Sequence, residues 1–181
     1  MDDLTWLRLE RDRRAIEEMH KLYFSLINQG RADELDDKIW APDAVVIIGS
    51  KVDPKTGELV GGYQARGPGA APGASFAGGL SAIKVPSSPI ATTHAMQQCV
   101  IELDGDAAIS ETYVNSYLVI DGEPRRILVR AIRYLDRLVK LNGEWRIKER
   151  RPSHDWMFEA EATASLTFAE RLQTKHLTGA K

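Results

Sequence analysis

His94 follows Thr92 and Thr93 at the head of a strand-like run, where a single imidazole could accept or donate a proton near neutral pH. A lone histidine at such a place is more often structural than catalytic. His20, Tyr23 and Asn28 interrupt the apolar positions of an amphipathic stretch, IEEMHKLYFSLINQGRADEL. Tyr23 reads first as a core aromatic, yet its hydroxyl could donate to a developing oxyanion or protonate a leaving group. Asn28 is either a residue of the helix end or a hydrogen-bonding partner for an imidazole. His20, one turn before Tyr23, is expected at the surface. Arg150 and Arg151 alternate along a strand, so at most one faces inward; Arg150 is the choice, with Arg133 behind it as a second substrate-binding candidate. His154 shares the face of Arg150 and is the best spare base, although an exposed histidine near a strand end is the preferred reading. Glu111 and Asp136 are candidate interior acids whose facing the sequence leaves open.

Other chemistries lack their residues. The four histidines are scattered, with no HxH, HxxxH or cysteine-containing pair, so no metal site is expected. No GxGxxG or GxxxxGK[ST] motif is present to cradle a nucleotide, and no GxSxG elbow to raise a serine nucleophile, so no cofactor is expected. Cys99 is the single cysteine and has apolar neighbours, which points to an inert thiol and a reducing compartment. A formal net charge of -2 gives no broad basic field for nucleic acid. No apolar run approaches the roughly 20 residues of a membrane helix, and the first residues, MDDLTWLRLERDRR, do not resemble a secretory signal. A cytoplasmic protein binding a small molecule, with neither nucleic acid nor membrane as partner, is the expectation.

The elements that must position these groups follow from periodicity. Apolar residues at Leu4, Leu7, Ile16, Met19, Tyr23, Leu26 and Ile27 predict a helix over 4–28 with Gly30 as its stop, and Leu35, Ile39 and Trp40 predict a short second helix over 32–40. Residues 44–48 read as a buried strand. Most of the glycines and prolines fall in 49–89, which predicts a long loop over the core with a helical turn near 76–83. Four strands follow, over 91–103, 107–120, 125–141 and 144–156, joined by DGD, DGEP and NG turns. Such long strands must twist and curl. A helix is predicted over 158–175. The chain is therefore one α+β domain over 1–181: a cone-shaped barrel of strongly curved antiparallel sheet, covered by N-terminal helices and followed by a C-terminal helix. Apolar residues on both faces of 125–141 predict self-association.

Three segments carry a family resemblance: IEEMHKLYFSLINQGRADEL, THAMQQCVIELDGDAAISETYV and RYLDRLVKLNGEWRIKERRPSHDW. Together they span about 13–156 and resemble the SnoaL-like branch of the nuclear transport factor two superfamily, which includes scytalone dehydratase, bile acid 7α-dehydratase and a hexachlorocyclohexane dehydrochlorinase. The resemblance implies a cone fold and a helix tyrosine, here Tyr23. It implies a general-base histidine, here His94, and an arginine completing the pocket, here Arg150. It also implies an aspartate where this chain has Asn28. Asparagine cannot raise the basicity of His94 as a carboxylate does, but it can select a tautomer. The implied function is a cofactor-independent lyase of aromatic-compound catabolism. It would act on a hydroxylated cyclic or aromatic molecule and eliminate water or a small aldehyde. An isomerase or cyclase, or a non-catalytic ligand-binding or assembly module, are the alternatives. A homo-oligomer, trimer or dimer, is also implied.

Overall fold

A helix of 26 residues, α1 (Asp3–Asn28), opens the chain. Asp2 caps it by accepting the Thr5 amide at 2.9 Å. At the other end Gly30, at φ +69°, adopts the left-handed conformation that glycine takes without strain. This lets the Arg31 amide reach the Leu26 carbonyl at 2.9 Å and the Gly30 amide reach Ile27 at 3.1 Å, a Schellman closure. The computed structural model describes residues 2–48, 51–52, 55–56, 59–60, 63–66 and 89–162. Within α1 the buried stripe runs through Asp12, Ile16, Met19, His20, Tyr23, Phe24 and Leu26. Leu4 and Leu7, predicted to belong to the apolar face, are exposed. A 3₁₀ turn (Ala32–Glu34) and α2 (Leu35–Lys38) then bury Leu35 and Ile39 completely.

Strands β1 (Trp40–Ile48), β4 (Tyr63–Arg66), β5 (Pro89–Asp104), β6 (Ala107–Ile120), β7 (Arg126–Leu141) and β8 (Glu144–Glu161) form one open sheet in the order β4-β1-β8-β7-β6-β5. Strands β2 (Lys51–Val52) and β3 (Leu59–Val60) make a separate small pair. The β7–β8 turn is Asn142–Gly143, both at positive φ, as a two-residue hairpin requires. Register shifts interrupt the β5–β6 ladder between Met96 and Cys99 and the β7–β8 ladder at two places. Such irregularities bend a strand and help the sheet curl over α1.

Three expectations change. The sheet is mixed, because β1 lies parallel to β8. No hairpin joins these two strands, so no turn imposes an antiparallel direction. Residues 158–161, predicted as helix, continue β8: Val129 pairs with Phe158 and Leu128 with Glu159. Without them the first four residues of β7 would lack a partner on that side. The rest of the predicted C-terminal helix, and the helical turn near 76–83, lie outside the described residues. Trp40, assigned to the second helix from sequence, begins β1.

The inner face of the sheet is set by alternation. On β6, Ala108, Ser110, Thr112, Val114, Ser116 and Leu118 are buried beneath the helices, and the cross-strand register places Arg130, Ile132, Tyr134 and Asp136 of β7 on the same face. The core joins Ile16, Phe24, Leu35, Ile39, Val46, Val114, Ile132 and Ile147. Polar residues within this apolar layer mark the site.

Candidate functional site

Asn28 and His94 meet where the end of α1 crosses β5. The Asn28 Nδ2 donates to the His94 carbonyl at 3.2 Å, and Asn28 Oδ1 accepts from the His94 amide at 2.7 Å. These backbone contacts fix which end of the Asn28 amide is oxygen. The same Oδ1 lies 3.0 Å from His94 Nδ1, so Nδ1 carries the proton and Nε2 is the bare acceptor. Phe24 stacks on the ring, with centroids 5.9 Å apart. Burial, with the positive charge of Arg130, pulls the His94 pKa down to about 4. At neutral pH the ring is therefore uncharged, with a lone pair on Nε2 that nothing among the described residues engages.

One helical turn away lies a second, fully buried group. Arg150 is 1% exposed and grips Asp136 in a two-pronged pair, Nε to Oδ1 at 2.8 Å and Nη2 to Oδ2 at 2.7 Å. Its guanidinium carbon sits 4.2 Å from the Tyr23 ring centre, 4.7 Å from Tyr134 and 5.4 Å from Trp40. Burial alone would lower the Arg150 pKa; the Asp136 carboxylate outweighs it and the net movement is upward. Arg150 Nη2 also approaches His20 Nδ1 at 3.3 Å. Arginine can only donate, so Nδ1 is the acceptor, and His20 Nε2–H donates to Ser110 Oγ at 3.0 Å. Burial holds the His20 pKa at about 4, against the attraction of Asp136. Ser110, His20 and Asp136 thus bring together the residue types of a nucleophilic triad, but the tautomer is wrong. An Nε2 that donates to serine cannot take its proton.

His20, expected at the surface, is wholly buried. Its place four residues from both Ile16 and Phe24 on the helix stripe carried that signal. Arg150 faces inward and Arg151 outward, as alternation predicted. Arg133 does not join the site: it lies on the outer face, bonded to Asp155 at 2.9 Å and Glu111 at 3.2 Å. The reason is register. Arg133 is opposite Tyr113 and Ser153, out of phase with the inward row. Asp136 is interior and Glu111 is not. His154 lies opposite buried Ile132 but is itself exposed; partial desolvation, together with Arg130, lowers its pKa. Arg130 was not singled out from sequence, yet its Nε donates to Ser116 Oγ at 3.0 Å on the inner face. Cys99 Sγ lies 3.3 Å from Thr112 Oγ1, and burial pushes its thiol pKa up. Among the described residues no three histidine, cysteine, aspartate or glutamate side chains converge as a ligand set.

A helix-covered, open, curled sheet with polar groups on its inner face defines an α+β cone of the nuclear transport factor two type. The chain belongs to the SnoaL-like domain family, whose profile matches residues 9–151. No curated protein sequence matches it. Among solved structures it is similar to a protein of Novosphingobium aromaticivorans provisionally assigned as a scytalone dehydratase, at 19% identity and TM-score 0.59, covering 89% of this chain and 95% of that one. It is also similar to a hexachlorocyclohexane dehydrochlorinase of Novosphingobium barchaimii, at 16% identity and TM-score 0.64, covering 94% and 100%. A third is the β subunit of a provisionally assigned aromatic-ring-hydroxylating dioxygenase of Novosphingobium aromaticivorans, at 17% identity and TM-score 0.63, covering 82% and 92%. At these identities the likeness shows the fold.

Proposed function

We propose that the protein is a cofactor-independent lyase that eliminates water or a small aldehyde from a hydroxylated cyclic or aromatic molecule, with His94 as its base. The observation carrying this reading is the three-point hold of Asn28 on His94, which fixes the Nδ1–H tautomer and keeps Nε2 as the acceptor. Of the three contacts the one to Nδ1 sets the ring, with one nitrogen as donor and the other presented as an acceptor. For aldehyde release, Nε2 takes the proton of the substrate hydroxyl, the carbonyl forms as the adjacent carbon–carbon bond breaks, and the electron pair passes into the remaining conjugated system. For loss of water, Nε2 takes a carbon-bound proton and the hydroxyl leaves on receiving a proton from a hydrogen-bond donor. Tyr23 supplies that donor. Arg150 acts behind it as a positioning residue: Asp136 occupies its Nε and Nη2, its buried Nη1 has no hydrogen-bond partner among the described residues, and its cation fixes the rings of Tyr23, Tyr134 and Trp40. His154 is the reserve base.

The neutral Asn28 favours a second reading, a binding module that keeps the cone without the chemistry, and turnover separates the two. On a panel of aromatic diols and hydroxylated cyclic compounds, His94→Ala should lower kcat by roughly 10²–10⁴-fold with the fold retained. Full turnover by His94→Ala would remove His94 from the mechanism and pass the role to His154. Saturable binding with no product from any compound would favour the binding module.

A further inference from the structure

The cross-strand register aligns His94, Ser116 and Arg130 in one row across β5, β6 and β7. Neighbouring strands are about 4.8 Å apart, so Arg130 starts two strands from His94 and its long side chain covers part of that gap. The direction is fixed, because Nε donates to Ser116 Oγ at 3.0 Å and the guanidinium leans across β6 toward β5. Arg130 is half-buried, and among the described residues no carboxylate bonds to it. Other arginines of the sheet are neutralised: Arg150 by Asp136, Arg133 by Asp155, Arg151 by Glu149 and Arg146 by Glu144. A partly desolvated cation without a counter-ion is costly, and an anion arriving beside it relieves that cost. With Nε engaged, the two terminal nitrogens form the fork that matches a carboxylate.

We infer that Arg130 is the receptor for a carboxylate carried by the substrate, with Ser116 fixing the guanidinium and the His94 and His154 rings beside the bound group. This rests on the reading of His94 as the base and adds the charge of its substrate. One cation and two uncharged imidazoles balance a single negative charge, which fits a carboxylate better than a phosphate dianion. The assignment also answers what Asn28 lacks. Burial is the larger cause of the depressed basicity of His94 and Arg130 adds to it; a carboxylate seated on Arg130 cancels the Arg130 part and returns that share of basicity to the ring when substrate is present. The substrate then supplies the negative charge that the aspartate of the resembling lyases would supply.

Benzoate and its neutral analogue benzyl alcohol test this, with the histidine ring signals followed by NMR and affinity by calorimetry. Benzoate is expected to bind saturably and to raise the titration midpoints of His94 and His154, while benzyl alcohol binds more weakly and leaves the midpoints in place. Arg130→Gln should weaken benzoate roughly 10–100-fold, the range for a hydrogen-bonded charged contact, without changing benzyl alcohol. Should that variant not fold, Arg130→Lys, which keeps the charge and loses the fork, should still weaken benzoate. His94→Ala should keep Arg130-dependent benzoate binding, so failure of His94 as a base does not remove the carboxylate site. Equal affinity for the two probes, unchanged benzoate affinity in both Arg130 variants, or tighter binding of inorganic phosphate than of benzoate would overturn the assignment.

Discussion

Asn28 does three things for His94 that a carboxylate could not do together: it donates to the carbonyl, accepts from the amide and accepts from Nδ1. Asn28→Asp therefore has two opposed effects. The new charge favours the imidazolium and should raise the His94 midpoint from about 4. The lost donor leaves a carboxylate oxygen against a carbonyl oxygen now 3.2 Å from Nδ2; because the contact is exposed, this should cost about 0.5–1.5 kcal/mol in urea denaturation. A variant with an unmoved midpoint would show that Asn28 does not control the ring. The pH profile follows from the same geometry. Because kcat/KM reports groups of the free enzyme, its acid limb should fall near about 4 in the natural sequence and higher in Asn28→Asp. An acid limb at the ordinary histidine value in both would contradict the buried, Arg130-facing environment of His94.

At the scale of elements, one polar network ties α1 to three strands: His20 of α1, Ser110 of β6, Asp136 of β7 and Arg150 of β8. Removing one partner of such a pair strands a buried charge, so Asp136→Asn should cost roughly 3–5 kcal/mol, measured by urea denaturation. A loss under 1 kcal/mol would mean that water reaches Arg150. His20 gives the same elements a pH signature. Its folded pKa, about 4, lies below the ordinary 6.5, so between these values the unfolded chain binds a proton that the folded chain does not. The contribution is complete above pH 6.5 and is lost as pH falls toward 4, by about 3 kcal/mol at about 1.4 kcal/mol per pH unit. His20→Gln should reduce the slope of denaturation midpoints over that window without abolishing it, because His94 shares the same shift; an unchanged slope would show that His20 does not contribute. Nearer the start of α1, Asp12 accepts from Lys140 at 2.7 Å and Trp145 at 3.3 Å, which pins the helix to the β7–β8 hairpin.

For the whole molecule, the outer sheet face is the open question of packing. Val100, Ile109 and Leu135 are 53%, 50% and 41% exposed along one groove of about 420 Å³, edged by Glu102, Glu111, Arg137, Glu149 and Arg151. An apolar strip rimmed by both signs of charge suits a second copy of itself. Sedimentation is expected to give a dimer or trimer, and Leu135→Lys to lower the mass toward one chain. A mass of 20.2 kDa for the unchanged protein at micromolar concentration would exclude self-association through this face. Among the described residues, no helix is long and apolar enough to cross a membrane.

Local rules carried much of this molecule. The helix stripe, the Gly30 stop, the Asn142–Gly143 turn and the opposite facing of Arg150 and Arg151 depend on neighbours within a few residues, and they are legible in the sequence for that reason. The helix period also placed His20 on the buried stripe, although by type a histidine reads as surface. What depends on register between distant strands could not be read. Arg133 and Arg130 are three residues apart on β7, and only pairing with β6 and β8 shows that Arg130 points inward and Arg133 outward. Asp136 became the partner of Arg150 by the same register. The parallel entry of β1, the extension of β8 past Trp156 and the exposure of Leu4 and Leu7 all depend on where the sheet ends. The sequence by itself determined the class of fold and the residue types at the site. Tertiary structure decided which of them share a face, because cross-strand register is set by packing of the whole sheet and not by any local period.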